Sequence, residues 1–180
     1  MIFNIPIFLT SLRIAAIPLV ILFFYLDMPF TTAFIFGMAG LTDWADGYYA
    51  RRYNQESRFG AFLDPVADKL IVATALILVV SRETEFLIWI TLAAIIIISR
   101  EIVISALREW MAETGQRSKV SVAYIGKIKA VAQILSLIFL LYNKDLFGVP
   151  LREVGLVLLA VATVLTFISM LQYLRSAFAK

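Results

Sequence analysis

Neither cysteine nor histidine occurs in this chain. Their absence excludes disulfides, thiolate and imidazole metal ligands, cysteine nucleophiles, histidine general bases and phosphohistidine intermediates. Charge is scarce as well: Asp, Glu, Lys and Arg make up only 16% of the 180 residues, while 62% are hydrophobic. A soluble domain is about 45–50% apolar, so this composition, with a mean hydropathy of +0.91, points to the bilayer as solvent. The N-terminus, Met-Ile-Phe-Asn-Ile-Pro, has no basic region, and several further apolar runs follow the first. It therefore does not read as a removable signal peptide. No repeat, low-complexity stretch or composition shift divides the chain, and residues 1–180 read as one membrane domain.

The uncharged windows are 14–26, 28–42, 70–81, 86–99, 130–143 and 154–174. Only the last reaches the roughly 20 apolar residues that a helical crossing needs. The other five must take in flanking charges. Counted this way, the second helix ends near Tyr49 and includes Asp43 and Asp46. The third begins near Phe62 and includes Asp64, Asp68 and Lys69. Arg13, the pair Arg100 and Glu101, and the pair Lys127 and Lys129 enter the first, fourth and fifth helices. All these charges fall at one end of the bundle. The expected fold is all-α and integral to the membrane: six transmembrane helices, preceded by a short interfacial helix over residues 1–11. Arg82, Lys144 and Arg152 lie at one face and the rest of the sixteen Lys and Arg at the other, so the positive-inside rule places the charged end in the cytoplasm.

The acids at that end are patterned. Asp43, Asp46, Gly47, Ala50 and Arg51 share a helix face, and Gly60, Asp64 and Asp68 repeat every fourth residue. Two helices joined by a short turn would aim two carboxylates each at one space. Four acids held that close need cations among them. With only oxygen ligands on offer, the metal is a hard one such as Mg²⁺ or Mn²⁺. The small residues 47, 50 and 60 leave room for a phosphorylated ligand, and Arg51 can fork onto a phosphate. Structural pairing with Arg or Lys would explain one such aspartate. Four on two facing stripes inside a membrane span read as a functional site. Pro65 is read as starting or kinking the third helix, with no chemistry of its own.

The pattern Asp43-x-x-Asp46-Gly47-x-x-Ala50-Arg51, then Gly60-x-x-x-Asp64-x-x-x-Asp68, resembles the signature of the CDP-alcohol phosphotransferase family. The likeness extends over essentially the whole chain, through Asn4, Pro6, Thr10 and Arg13, the run from Ser99 to Glu113, and Gly126-Lys-Ile-Lys129. Within the family it is to bacterial members that use a phosphorylated glycerol. Ile7 departs from many relatives, which have Asn there. The resemblance implies that the phosphatidyl group of CDP-diacylglycerol is transferred to the C1 hydroxyl of sn-glycerol 3-phosphate, with CMP leaving. It implies Asp43, Asp46, Asp64 and Asp68 as metal ligands, with Asp68 also the catalytic base. It implies Asp43, Gly47, Ala50, Arg51 and Gly60 as the CDP-diacylglycerol pocket. It further implies a homodimer in the bacterial inner (cytoplasmic) membrane, its active site facing the cytoplasm, with no nucleic-acid partner.

The shared motif does not choose the acceptor. A phosphorylated acceptor needs cations beyond Arg51, and Arg108, Lys127, Lys129, Arg117 and Lys119 all lie on the inner side. Inner-loop basic residues also enforce topology and touch anionic headgroups. Arg100 and Glu101 suit a structural pair, and Trp44, Tyr48, Tyr49, Trp89, Trp110 and Tyr173 suit interface anchoring or packing. Inositol phosphate, serine and phosphatidylglycerol are the alternative acceptors. The distant alternative is a cation transporter, but the acids sit at one end and draw no path across.

Overall fold

The computed structural model describes residues 5–53, 58–113 and 124–178. Within them, the side chains of 5–7, 9, 43–53, 58–62, 112, 124, 125, 127 and 176–178 lie outside the description. The described residues form six helices: α1 (Ile5–Tyr25), α2 (Pro29–Tyr53), α3 (Arg58–Arg82), α4 (Leu87–Glu113), α5 (Tyr124–Tyr142) and α6 (Leu151–Phe178). Among the described residues there is no strand, only an isolated bridge between Leu146 and Val149. By length and composition, Leu87–Met111 and Leu151–Arg175 are long and apolar enough to cross a membrane. Thr10–Tyr25, Pro29–Thr42 and Ile128–Tyr142 are shorter apolar stretches. The surface agrees with an apolar solvent, because Phe30, Ile77, Ile88, Ile102 and Val157 point outward as openly as Leu76, Ile97, Leu137 and Leu141 point inward.

One expectation is corrected. Among the described residues no separate interfacial helix precedes α1: Ile5–Tyr25 is one unbroken helix. Pro6 falls in its first turn, where the missing N–H has no intrahelical partner to lose. Nothing therefore stops α1 from running straight through residues 5–11. Pro65 likewise lies inside α3 rather than at its start.

The turns explain why the helices stop where they do. At the end of α1 the N–H of Met28 reaches the carbonyl of Phe23 (3.0 Å) and that of Asp27 reaches Phe24 (3.1 Å). Asp27 takes the left-handed conformation (φ 52°) between them, which is a Schellman closure. Pro29 then opens α2. Between α5 and α6, Leu146 and Val149 exchange backbone hydrogen bonds of 3.0 and 2.9 Å around Phe147 (φ 51°) and Gly148 (φ 79°). Both central residues have positive φ, which is why a glycine is placed there. Gly155 serves a different need: a Cβ there would come within 3.0 Å of the Leu140 side chain. Its absence lets α5 and α6 approach closely enough for Ser136 Oγ to donate to the Gly155 carbonyl at 2.9 Å.

The helices are paired in parallel by polar ties of similar sequence offset within each pair. Thr10 meets Asp64, Arg13 meets Asp68 and Asp27 meets Arg82, so α1 and α3 run side by side in register. Arg152 meets Glu85 and Arg108 meets Tyr173, which aligns α4 and α6 in the same way. The loop end gathers Arg82, Glu83, Asn143 and Arg152 around a small cavity of about 180 Å³. The opposite end carries the acids.

Candidate active site

The acid-bearing stretches are helical throughout. α2 continues to Tyr53, beyond the expected Tyr49, and α3 begins at Arg58, ahead of the expected Phe62. Only residues 54–57 separate them. Asp43, Asp46, Gly47, Ala50 and Arg51 thus lie in the last turns of α2 and Gly60 in the first turn of α3. Their side chains are outside the described set, as is that of Lys127 in the first turn of α5. Arg117 and Lys119 lie outside the described residues altogether.

Asp64 and Asp68 are described, and they occupy successive turns on one face of α3. Thr10, fully buried on α1, donates its hydroxyl to Asp64 Oδ1. One turn further, Arg13 Nη1 donates to Asp68 Oδ1 at 2.5 Å. Arg13 is only 2% exposed, whereas the Asp68 side chain is 40% exposed. The guanidinium is therefore embedded in the bundle while the carboxylate faces an accessible space. A cation sunk in the wall and an anion at the mouth fix the orientation of Asp68 without closing access to it. The sequence held a signal for this: Thr10 and Arg13 are three residues apart and share a face on a helix ending at the same level.

A second polar layer lies on α4. Glu101, Ser105 and Arg108 follow one another at spacings of four and three, forming a stripe, and each touches a different helix. Lys129 of α5 donates to Glu101 Oε1 at 2.5 Å, and Arg100 Nη1 reaches the same oxygen at 3.1 Å. Lys69, directly after Asp68, donates to the Ser105 hydroxyl. Arg108 Nη2 donates to the Tyr173 hydroxyl of α6 at 2.9 Å. The Lys69–Ser105 contact draws this stripe alongside the acid-bearing turns of α3. Lys69, Lys129 and Arg100 all lie within electrostatic reach of the single Glu101 carboxylate, so cations outnumber the acid here. Ser105, to which the sequence assigns no role, and Tyr173, which it suggests as an anchoring or packing residue, prove to be contact points of this layer. Arg100 and Glu101 pair as expected.

The donor set fits a hard divalent cation. Asp64 and Asp68 supply carboxylate oxygen, and the chain has no thiolate or imidazole to compete with it. Among the described residues no three acidic side chains converge; the side chains of Asp43 and Asp46 lie outside that set.

Against known proteins, residues 3–168 match the family model described as CDP-alcohol phosphatidyltransferase. The chain belongs to this family. A CDP-diacylglycerol–glycerol-3-phosphate 3-phosphatidyltransferase of Haemophilus influenzae is 53% identical over 178 residues, covering 97% of this chain and 94% of the relative. The protein of the same name from Escherichia coli strain K12 is 52% identical over 97% of this chain and 95% of its own length. The family generally uses divalent metal ions, which accords with the oxygen-only donor set.

Proposed function

We propose that this CDP-alcohol phosphatidyltransferase moves the phosphatidyl group of CDP-diacylglycerol onto sn-glycerol 3-phosphate. The C1 hydroxyl attacks the β-phosphorus, the bond from that phosphorus to the CMP oxygen breaks, and phosphatidylglycerophosphate and CMP form. The observation that carries the reading is the pairing of two layers at one end of an apolar bundle. Carboxylates on successive turns of α3 lie beside a cation-rich face built from α4 and α5. The first layer suits a metal-bound diphosphate and the second an anionic acceptor. Relatives named for this reaction match nearly the full length of the chain.

In this reading Asp43, Asp46, Asp64 and Asp68 hold Mg²⁺ or Mn²⁺. When bound, the metal supplies charge neutralisation at the donor diphosphate. Asp43, Gly47, Ala50, Arg51 and Gly60 line the cytidine diphosphate pocket. Asp68, oriented by Arg13, faces the attacking hydroxyl as base or orienting acceptor. Arg108, Lys127, Lys129, Arg117 and Lys119 receive the acceptor phosphate; of these, Lys129 is already matched by Glu101 and Arg108 is not matched by a carboxylate among the described residues. The groove of about 580 Å³ between α2 and α5 ends at Leu41, two residues before Asp43. Its apolar lining suits the donor's acyl chains.

All six helices cross the membrane in this account. They are 19 to 28 residues long, against the roughly 20 needed, and the shorter apolar stretches are completed by charged residues of the site. The chain acts as one domain, as a homodimer, in the bacterial inner membrane with its acid end in the cytoplasm. The test is CMP release from CDP-diacylglycerol in detergent, with glycerol 3-phosphate, serine and inositol phosphate compared side by side. Glycerol 3-phosphate should be preferred by at least about 100-fold, since a polar subsite left without its partner discriminates strongly. Preference for serine or inositol phosphate would overturn the acceptor assignment and leave the family intact.

A further inference from the structure

Arg108 is held differently from the ion-paired cations around it. Arg13 is matched by Asp68 and Lys129 by Glu101, and at the loop end Arg82 is matched by Asp27 and Arg152 by Glu83. Among the described residues Arg108 has no carboxylate partner. Its Nη2 donates to the Tyr173 hydroxyl at 2.9 Å, and its guanidinium carbon lies 5.3 Å from the centre of the same ring. Arg100 approaches that ring to 5.7 Å. A hydroxyl and a π face orient a guanidinium without cancelling its charge.

Tyr173 does not behave as an interface anchor. Such residues spread their rings at the surface, as Tyr25 and Trp89 do at 72% and 73% exposure, whereas Tyr173 is 5% exposed. Nor does it behave like the other described hydroxyl residues of α6. Thr163, Thr166 and Ser169 turn back onto carbonyls of their own helix. Tyr173 alone among these four reaches across to α4, and the arginine it holds is exposed.

We infer that Tyr173 is a positioning residue for the acceptor phosphate: it presents Arg108 to the incoming dianion as an oriented cation with no carboxylate to displace. Had an aspartate stood there instead, the acceptor would have to compete with it for the guanidinium. The inference rests on the acceptor reading proposed above and extends it to α6, the one helix whose charges play no other part in that reading.

The test uses the full-length protein in detergent, with initial rates measured against each substrate for wild type, Tyr173→Phe, Arg108→Ala and the double variant. Tyr173→Phe keeps the ring and removes only the hydroxyl. It should raise KM for glycerol 3-phosphate by about tenfold or more, the span of one hydrogen bond to a charged group, with KM for CDP-diacylglycerol within twofold. On the Arg108→Ala background the Phe substitution should add nothing, because its action runs through Arg108. An unchanged acceptor KM, an equal rise in both KM values, or an effect that persists without Arg108 would each overturn the inference. A wild type that does not turn over glycerol 3-phosphate defeats the acceptor reading itself. A wild type that does, beside an unresponsive Phe variant, defeats only the role given to Tyr173.

Discussion

The two ends of this bundle are both charged, and they use charge in opposite ways. At the loop end, Asp27, Glu83 and Glu85 lie in the connections, with Arg82 and Arg152 at helix termini. Glu83 Oε1 accepts from the N–H groups of Glu85 (3.1 Å) and Phe86 (3.2 Å), covering the start of α4, and from Arg152 at 2.8 Å. Arg82 and Arg152 also lie over the Phe24 and Phe86 rings. Each group is engaged in holding connections together. At the acid end Asp64, Asp68, Glu101, Arg108 and Lys129 lie within helices, turn upon turn. Charge in a connection can reach water whatever its partner; charge inside an apolar helix must be offset by neighbours or used. The comparison teaches that placement, more than count, separates a tie from a site.

The largest break in that comparison is expected from the acids of α3. Asp64→Asn or Asp68→Asn should lower CMP release by at least about 100-fold, the upper end of what even a supporting residue of a metal centre contributes. The helix should persist, since Asn keeps shape and loses only charge; circular dichroism in detergent checks that. Next comes Arg13→Lys, which retains the positive charge and gives up the planar fork onto Asp68. A loss of about tenfold in turnover is expected, read from initial rates at saturating substrates.

The loop end should answer in stability instead. Arg152→Ala removes contacts to Glu83 and Glu85. The Glu83 pair is part-buried and the Glu85 pair exposed; together they contribute about 1 kcal/mol, or a fall in Tm of about 2–4 °C for a chain of this size. Activity per folded molecule should not change. If it falls as far as in the Arg13 variant, the division between the two ends is wrong.

The smallest effect is a pH dependence at the same end. Burial pushes the Glu83 carboxyl upward, but the Phe86 and Glu85 amides and the Arg152 guanidinium together outweigh it and leave the pKa below the usual 4.5. A folded pKa below the unfolded one means stabilisation that is complete above about pH 4.5 and fades as pH drops through the folded value. Wild type should therefore melt above Glu83→Gln at neutral pH, and the gap should narrow below pH 4.5. A gap that widens on acidification would contradict the pairing.

Much of this was legible because the chain is so poor in charge. In an oily background, Asp43, Asp46, Asp64 and Asp68 stand out at helical spacing, and a short polar turn between their helices follows directly. What escaped was of two kinds. Residues 5–11 mix polar and apolar side chains as a surface helix does, and only the continuity of α1 shows that they belong to a longer one. Ser105 and Tyr173 escaped because each has an ordinary reading in its own helix. Their meaning lies in Lys69 and Arg108, and the Arg108–Tyr173 contact spans 65 residues of chain. Local spacing carries no trace of such contacts.

Carboxylates of α2 and α3 holding a divalent cation against the donor are the centre of the proposed chemistry. The direct measurement is CMP release after chelation, with Mn²⁺ or Mg²⁺ then titrated back into wild type and Asp64→Asn. The account predicts that chelation abolishes release, that metal restores it in wild type, and that the Asn variant needs at least about tenfold more metal. Release that survives chelation, or the same metal requirement in both proteins, would contradict it.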